Sequence, residues 1–223
     1  MNTSVASVVE DPALIEKRRN QIVTAATELF ASQGFYKTTI KDIAKKAGIS
    51  YGVVYLYVRE KEDVLLLVLQ QVVNAYAEEI PKAMKGVEDP LDRLVRAIRA
   101  YCRVVDRHRA PTVLAYRSTK SLTQDRREMI QRLETETNNF IAEAIKVCMR
   151  AGLIRNLNVD VLTYQIVLVA HGWALKSWYF KSRIGLEDYI ADSLDIVMAG
   201  VLTPLGKRRY EELARVASNS ADM

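Results

Sequence analysis

Apolar residues recur at three-and-four spacing along most of the chain, the signature of helices with one buried face. A first helix runs from Pro12, with Ile22, Ala25, Ala26, Leu29 and Phe30 in phase and Gly34 where a C′ glycine belongs. A short helix over 40–47 follows. It turns Ile43 and Ala44 inward and Lys41, Lys45 and Lys46 outward, and it is opened by Thr39 and Asp42 as a capping box with Asp in the usual Glu position. Gly48 supplies the left-handed backbone of a sharp turn, Ile49 plugs that turn into the core, and Ser50 caps a second short helix over 50–58. A longer helix begins near Lys61, with Val64, Leu65, Val68, Leu69, Val72, Val73 and Tyr76 on one wide face. Asp89 and Pro90 start another, carrying Leu91, Leu94, Val95, Ile98, Tyr101, Cys102 and Val105. After a short segment over 111–117, a long helix over 124–151 places Ile130, Leu133, Phe140, Ile141, Ala144, Ile145 and Cys148 inward. Residues 161–179 are apolar nearly all round, which predicts burial on more than one side. A helix over 186–201 and a last one from Thr203-Pro204 complete an all-α chain. The ends, 1–11 and 218–223, are small, polar and unpatterned and read as flexible tails.

The composition, 49% hydrophobic and 26% charged over 223 residues, is that of an ordinary globular protein. A net charge of +5 says little by itself, but its placement says more: Lys37, Lys41, Lys45, Lys46, Arg59 and Lys61 are opposed between 37 and 61 only by Asp42 and Glu60. Lys17, Arg18 and Arg19 form a second basic cluster, open to DNA phosphates or to solvent. Cys102 and Cys148 sit singly in apolar helical patterns and read as core residues of a reducing compartment. No apolar run approaches a membrane span, and the N-terminus lacks an export signal, so a cytoplasmic protein without membrane partner is expected. Metal-ligand, nucleophile-elbow and phosphate-loop motifs are absent, and the two histidines, His108 and His171, lie far apart in sequence; neither an enzyme nor a cofactor is expected.

Residues 38–61 carry the most specific statement. Two short helices joined by a glycine turn can present the second to a DNA major groove. That second helix holds Tyr51, Tyr55 and Tyr57 with Gly52 between them. A tyrosine hydroxyl can bond a phosphate while its ring packs on sugar or a thymine methyl, and a glycine lets the backbone approach closely. The same tyrosines could instead pack on neighbouring helices.

Ala25-Ala26, Leu29-Phe30, Gly34-Phe35, Thr38-Thr39, Ile43-Ala44, Ala47-Gly48-Ile49-Ser50, Tyr55-Leu56-Tyr57 and Lys61-Glu62 together resemble the DNA-binding domain of the TetR family of transcriptional regulators, over residues 14–65. The resemblance implies a three-helix DNA-binding domain over 12–60 and a larger helical ligand-binding and dimerisation domain over 61–217. It implies that Thr39 touches phosphate, that Ser50, Tyr51 and Gly52 face base edges or backbone, that Tyr55 and Tyr57 grip phosphate and sugar, and that Lys61 meets a phosphate at the start of the fourth helix. Val53 stands where many members carry Ser or Thr, which leaves it to contact a thymine methyl. Glu60 stands where a small polar residue is usual, an unfavourable charge beside DNA unless it is paired with Arg59 or Lys61.

One recognition helix reads too few base pairs for genomic specificity, so a homodimer on a palindromic double-stranded operator is expected. The helices 161–179 and 186–201 correspond to the family's dimerising pair, with Leu162, Ile166, Val169, Trp173, Ile190, Leu194 and Val197 as contacts. The family's pocket lies among the middle helices, which makes Tyr101, Tyr116, Arg117, Phe140, Tyr164, Gln165, His171 and Trp173 its lining. His171 is equally readable as a satisfied core histidine, and Arg117 as a surface ion-pair partner. The expected function is a ligand-responsive regulator acting as a repressor. A lipophilic or aromatic small-molecule effector, an acyl thioester being one form of it, releases it from DNA. The alternative is a DNA-architectural or recruiting protein that senses no small molecule.

Overall fold

The computed structural model describes residues 5–221, and these are helical with one isolated bridge, Ile154 to Leu202. The helices are α1 (Pro12–Gln33), α2 (Ile40–Ala47), α3 (Tyr51–Val54), α4 (Lys61–Met84), α5 (Pro90–Arg107), α6 (Arg109–Ser118), α7 (Gln124–Arg150), α8 (Val159–Leu175), α9 (Ser177–Phe180), α10 (Leu186–Val201) and α11 (Pro204–Ala221), with a 3-10 turn at Thr119–Ser121. The chain forms two compact units. One takes in the chain up to Asn74 together with His108–Leu133; the other takes in Ala75–Arg107 and the chain from Glu134 onward.

In the first unit the Asp11 carboxylate accepts the N–H groups of Ala13 and Leu14 ahead of α1, and Pro12 occupies the first turn, where its missing N–H costs nothing. Ile22, Val23, Ala25, Ala26 and Phe30 form the buried stripe. The α2 capping box is present in full, and Gly48 takes the left-handed conformation at φ 68°. The core continues into Val64, Leu65, Val68 and Leu69 of α4 and also recruits Leu114, Leu122 and Ile130. The unit therefore extends past the expected boundary at residue 60.

Residues 5–9 differ from the expected tail. Val5 is buried, the Val8 N–H donates to the Leu56 carbonyl at 2.9 Å, and the Ser7 hydroxyl donates to the same oxygen at 2.9 Å. Of the tails at 1–11 and 218–223, residues 1–4 and 222–223 lie outside the described residues; the backbone of α11 runs to Ala221.

In the second unit, α5 packs on α8, α10 and α11. The start of α11 is pinned by Thr203, whose hydroxyl accepts the Gly206 N–H at 3.1 Å and whose own N–H donates to the Leu153 carbonyl at 3.0 Å. A side chain at Gly206 would collide with that carbonyl at 2.0 Å, so this approach demands glycine.

The expectation for α8 and α10 needs correction. Leu162, Ile166, Trp173, Ile190 and Leu194 are buried within the single chain. Ile166, Val169, Ile190, Leu194 and Val197 border, with Ile98 and Cys102 of α5, a small apolar pocket of about 10 Å³. Leu162, Ile166, Trp173, Ile190 and Leu194 thus join helices inside the protomer, while Val169 and Val197 are half-buried. The face they leave outward carries Val161, Tyr164 and Leu168 of α8 and Ile196 of α10. Among the described residues no helix is long and apolar enough to cross a membrane.

Candidate nucleic-acid interface

The two short helices α2 and α3 meet through the Gly48 turn, where the Ile49 N–H donates to the Ala44 carbonyl at 3.1 Å. Thr39 is exposed at the α2 N-cap. Its hydroxyl donates to the Asp42 carboxylate at 2.7 Å, and this bond, with one from the Thr39 backbone, holds Asp42 below the usual carboxylate range.

Helix α3 is shorter than the expected 50–58. Its last ordered turn is tightened by Tyr57 N–H and Val58 N–H, both donating to the Val54 carbonyl. Ser50 occupies the N-cap position but makes no side-chain cap bond. Ser50, Gly52, Tyr51 and Tyr55 are exposed, and Val53 is half-buried. The Tyr51 and Tyr55 rings meet edge to face at 5.1 Å with their hydroxyls 2.9 Å apart, a bond that raises the Tyr55 phenol above its ordinary value. A side chain at Gly52 would meet nothing within 4 Å, so packing inside the protein does not require glycine there.

Two expected DNA contacts are corrected. Tyr57 is buried at 3% exposure, and its carbonyl accepts Arg19 Nε at 3.2 Å. The spacing held this signal: residues four apart share a helix face, whereas residues six apart lie about 120° round from it. Lys61 is also committed internally. Its ammonium donates to the carbonyls of Phe35 at 2.8 Å, Tyr36 at 3.3 Å and Thr38 at 2.9 Å, and it lies 4.4 Å from the centre of the Phe35 ring. With its three donors so engaged, Lys61 braces the loop before α2 against α4 instead of standing free for a phosphate. Arg19, open to phosphate or solvent in the sequence, likewise turns inward, to the carbonyls of Tyr57 and Val5. The outward cations are Lys37, Lys41, Lys45 and Arg59, with Lys46 paired to Glu28. Glu60 pairs with neither Arg59 nor Lys61; its partner is Arg126 of α7, at 2.8 Å.

The expected effector residues separate. Tyr116 and Arg117 lie exposed on α6 of the first unit. In the second unit Tyr164 and Gln165 are exposed on α8 and Phe140 is half-buried. Tyr101 and His171 come together, the phenol 3.2 Å from Nε2 and 3.3 Å from Asn138 Oδ1. Tyr76, which the sequence reading placed on an apolar face, stacks on Tyr101 at 4.3 Å and brings its hydroxyl to 3.4 Å from the same nitrogen. Burial pushes His171 down to about 4, so the imidazole is neutral near pH 7. Asn138, which the sequence did not single out, is buried, and its Nδ2 has no hydrogen-bond partner among the described residues. Trp173 instead donates through Nε1 to Asp106 at 2.7 Å and packs on Tyr189 and Phe180.

A glycine-turned helix pair with an exposed tyrosine couple and flanking cations defines a helix-turn-helix DNA-binding protein. Comparison with known proteins places it more closely. The family model for bacterial regulatory proteins of the tetR family matches residues 22–68, and that for the tetracyclin repressor-like C-terminal domain matches residues 87–201. The chain is 47% identical over 214 residues to the HTH-type transcriptional regulator HbdR of Aromatoleum sp. (strain CIB), covering 96% of this chain and 93% of HbdR. The ketosteroid transcriptional regulator KstR2 of Mycobacterium tuberculosis shares the fold at a TM-score of 0.71 and 23% identity, over 89% of this chain and 99% of that one. AibR, solved with isovaleryl coenzyme A and operator DNA, matches at a TM-score of 0.71 and 19% identity, over 80% and 97%. The chain belongs to the TetR family and is a transcriptional regulator.

Proposed function

We propose that this regulator is a dimeric repressor released from a palindromic operator by a lipophilic or aromatic effector. The observation that carries the sensing half of this reading is the buried Tyr76–Tyr101–Asn138–His171 cluster. Buried amide N–H groups are seldom left without a partner, and Asn138 Nδ2 has none among the described residues. Its imidazole is neutral at pH 7, and the cluster is buried. It suits an uncharged hydrogen-bond acceptor on an otherwise lipophilic molecule, such as the carbonyl of an acyl thioester. AibR binds isovaleryl coenzyme A, and KstR2, a transcriptional repressor, is a ketosteroid regulator; both names support a lipophilic effector and the second supports repression.

For DNA, Tyr51 and Tyr55 with Ser50, Gly52 and Val53 form the reading face, and Thr39 with the outward lysines meets the backbone. Two copies meeting through Val161, Tyr164 and Leu168 of α8 and Ile196 of α10 set the separation of the two reading faces near the ~34–36 Å repeat of successive major grooves. Helix α4 carries both Tyr76 of the buried cluster and Lys61 of the brace. An effector that shifts Tyr76 moves that helix and spoils the spacing.

The test is a mobility-shift titration on a duplex selected by the protein from random sequences, against a panel of aliphatic and aromatic acyl-coenzyme A thioesters and ketosteroids. Release by at least one such compound is expected, with His171→Phe blunting it. Operator binding indifferent to the whole panel would favour the architectural alternative. Response to small hydrophilic ligands alone would overturn the effector class.

A further inference from the structure

The turn that leads out of α3 is held by a buried carboxylate. Asp63, in the first turn of α4, is 1% exposed, and its Oδ2 accepts the backbone N–H groups of Arg59 at 2.7 Å and Glu60 at 3.2 Å. An acid at the third helical position reaching back in this way fixes the residues ahead of the helix. Its other oxygen, Oδ1, receives Arg126 Nη2 from the first turn of α7, while Nη1 of the same guanidinium donates to Glu60 Oε1 at 2.8 Å. On the opposite flank burial pushes the Arg19 guanidinium down from its ordinary value while the Asp63 charge pulls it back up. Arg19 donates in turn to the Tyr57 carbonyl at 3.1–3.2 Å.

Residues 57–60 are thus held at one end by Arg19 on the Tyr57 carbonyl and at the other by Arg126 on Glu60 and Asp63. The segment just ahead of α7 makes a second tie, Ser121 Oγ donating to the Tyr36 hydroxyl at 2.8 Å beside the loop that Lys61 braces. An exposed ion pair contributes little, but Asp63 is desolvated, so removing Arg126 leaves a buried carboxylate at the turn out of α3 with its backbone donors alone. Glu60, unfavourable beside DNA on sequence grounds, becomes the second anchor of Arg126.

We propose that Arg126 is a positioning residue for DNA binding: from α7, outside the helix-turn-helix, it holds the Glu60–Asp63 turn in the conformation that presents Tyr51 and Tyr55, and operator affinity depends on that grip. Arg126 itself touches no DNA. The inference rests on α3 being the reading helix.

The experiment measures anisotropy of a labelled duplex, selected by the wild-type protein from a random library, over a range of salt. Arg126→Ala binds about tenfold more weakly or worse, with the salt slope of wild type because no phosphate contact is lost. Arg126→Lys, able to hold one carboxylate but not both, falls between. Glu60→Gln, at an exposed position that leaves folding intact, gives a smaller loss in the same direction, and hydrogen exchange of the Arg59 and Glu60 amides quickens in the arginine variants. Wild-type affinity in Arg126→Ala and Glu60→Gln, with only the melting midpoint lowered, overturns the proposal in favour of plain stabilisation. A salt slope reduced by about one overturns it in favour of direct phosphate contact. If Tyr51→Ala and Tyr55→Ala also leave the selected duplex bound as in wild type, the reading-helix assignment fails instead.

Discussion

Two tyrosine pairs sit in this molecule and do opposite things. Tyr51 and Tyr55, 52% and 39% exposed, meet edge to face on α3 and share one hydroxyl–hydroxyl bond. Tyr76 and Tyr101, 3% and 0% exposed, lie stacked in the second unit with both hydroxyls directed at one histidine nitrogen. A hydroxyl in water exchanges one partner for another at small net cost, whereas a buried one loses a full hydrogen bond if its partner goes. The first pair is therefore free to turn to a phosphate or a base edge. The second is part of the wiring of the interior.

The comparison breaks most visibly on truncation. Tyr101→Ala should cost about 3–5 kcal/mol in denaturant unfolding, against about 0.5 kcal/mol or less for Tyr51→Ala; equal losses would erase the distinction between the pairs. Next comes pH. His171 is held near 4 against an ordinary 6.5, so between those values the unfolded chain takes up a proton that the native one refuses. Stability contributed by the neutral imidazole is complete above pH 6.5 and declines as pH falls toward 4, by roughly 2–4 kcal/mol in all. His171→Phe should flatten that part of the acid limb, while a variant of the exposed pair leaves it unchanged.

Lys61→Ala comes third. Three carbonyls lose their donor, at about 1–3 kcal/mol of stability, and the salt slope of operator binding stays at its wild-type value because no phosphate contact is removed. A slope lower by about one would return Lys61 to the DNA surface. Smallest is Tyr55→Phe, which removes one exposed hydroxyl. Operator affinity should fall about fivefold, the value of one hydrogen bond, with unfolding unchanged.

Several of the features that carry function were legible before any coordinates. The Thr39–Asp42 box and the left-handed Gly48 need only a few neighbouring residues, and both stand as read. The shared face of Tyr51 and Tyr55 is legible in their spacing of four, and a spacing of six sets Tyr57 off that face. Lys61 and Arg19 were misread for a different reason. A cation in a basic stretch looks the same whether it faces phosphate or a set of backbone carbonyls, and those carbonyls come from residues 14 to 38 positions away. Helix α8 shows a third limit. Because it is apolar nearly all round, its periodicity carries no phase, and Leu162 and Ile166 could not be told from Val161 and Leu168 until α5 and α10 were seen packed on one side.

By itself the sequence determined the helical class, the glycine turn and the family to which the chain belongs, because each depends on contacts among residues close in the chain. Tertiary structure alone decided which lysine is a brace, which face of α8 is left outward, and that Asp63 is clasped by Arg126 sixty-three positions on. It also brought Tyr76 and Asn138 to Tyr101 and His171 at one buried point. A charge or a hydroxyl acquires its role from the partner that desolvation forces upon it, and that partner is chosen by packing between distant segments.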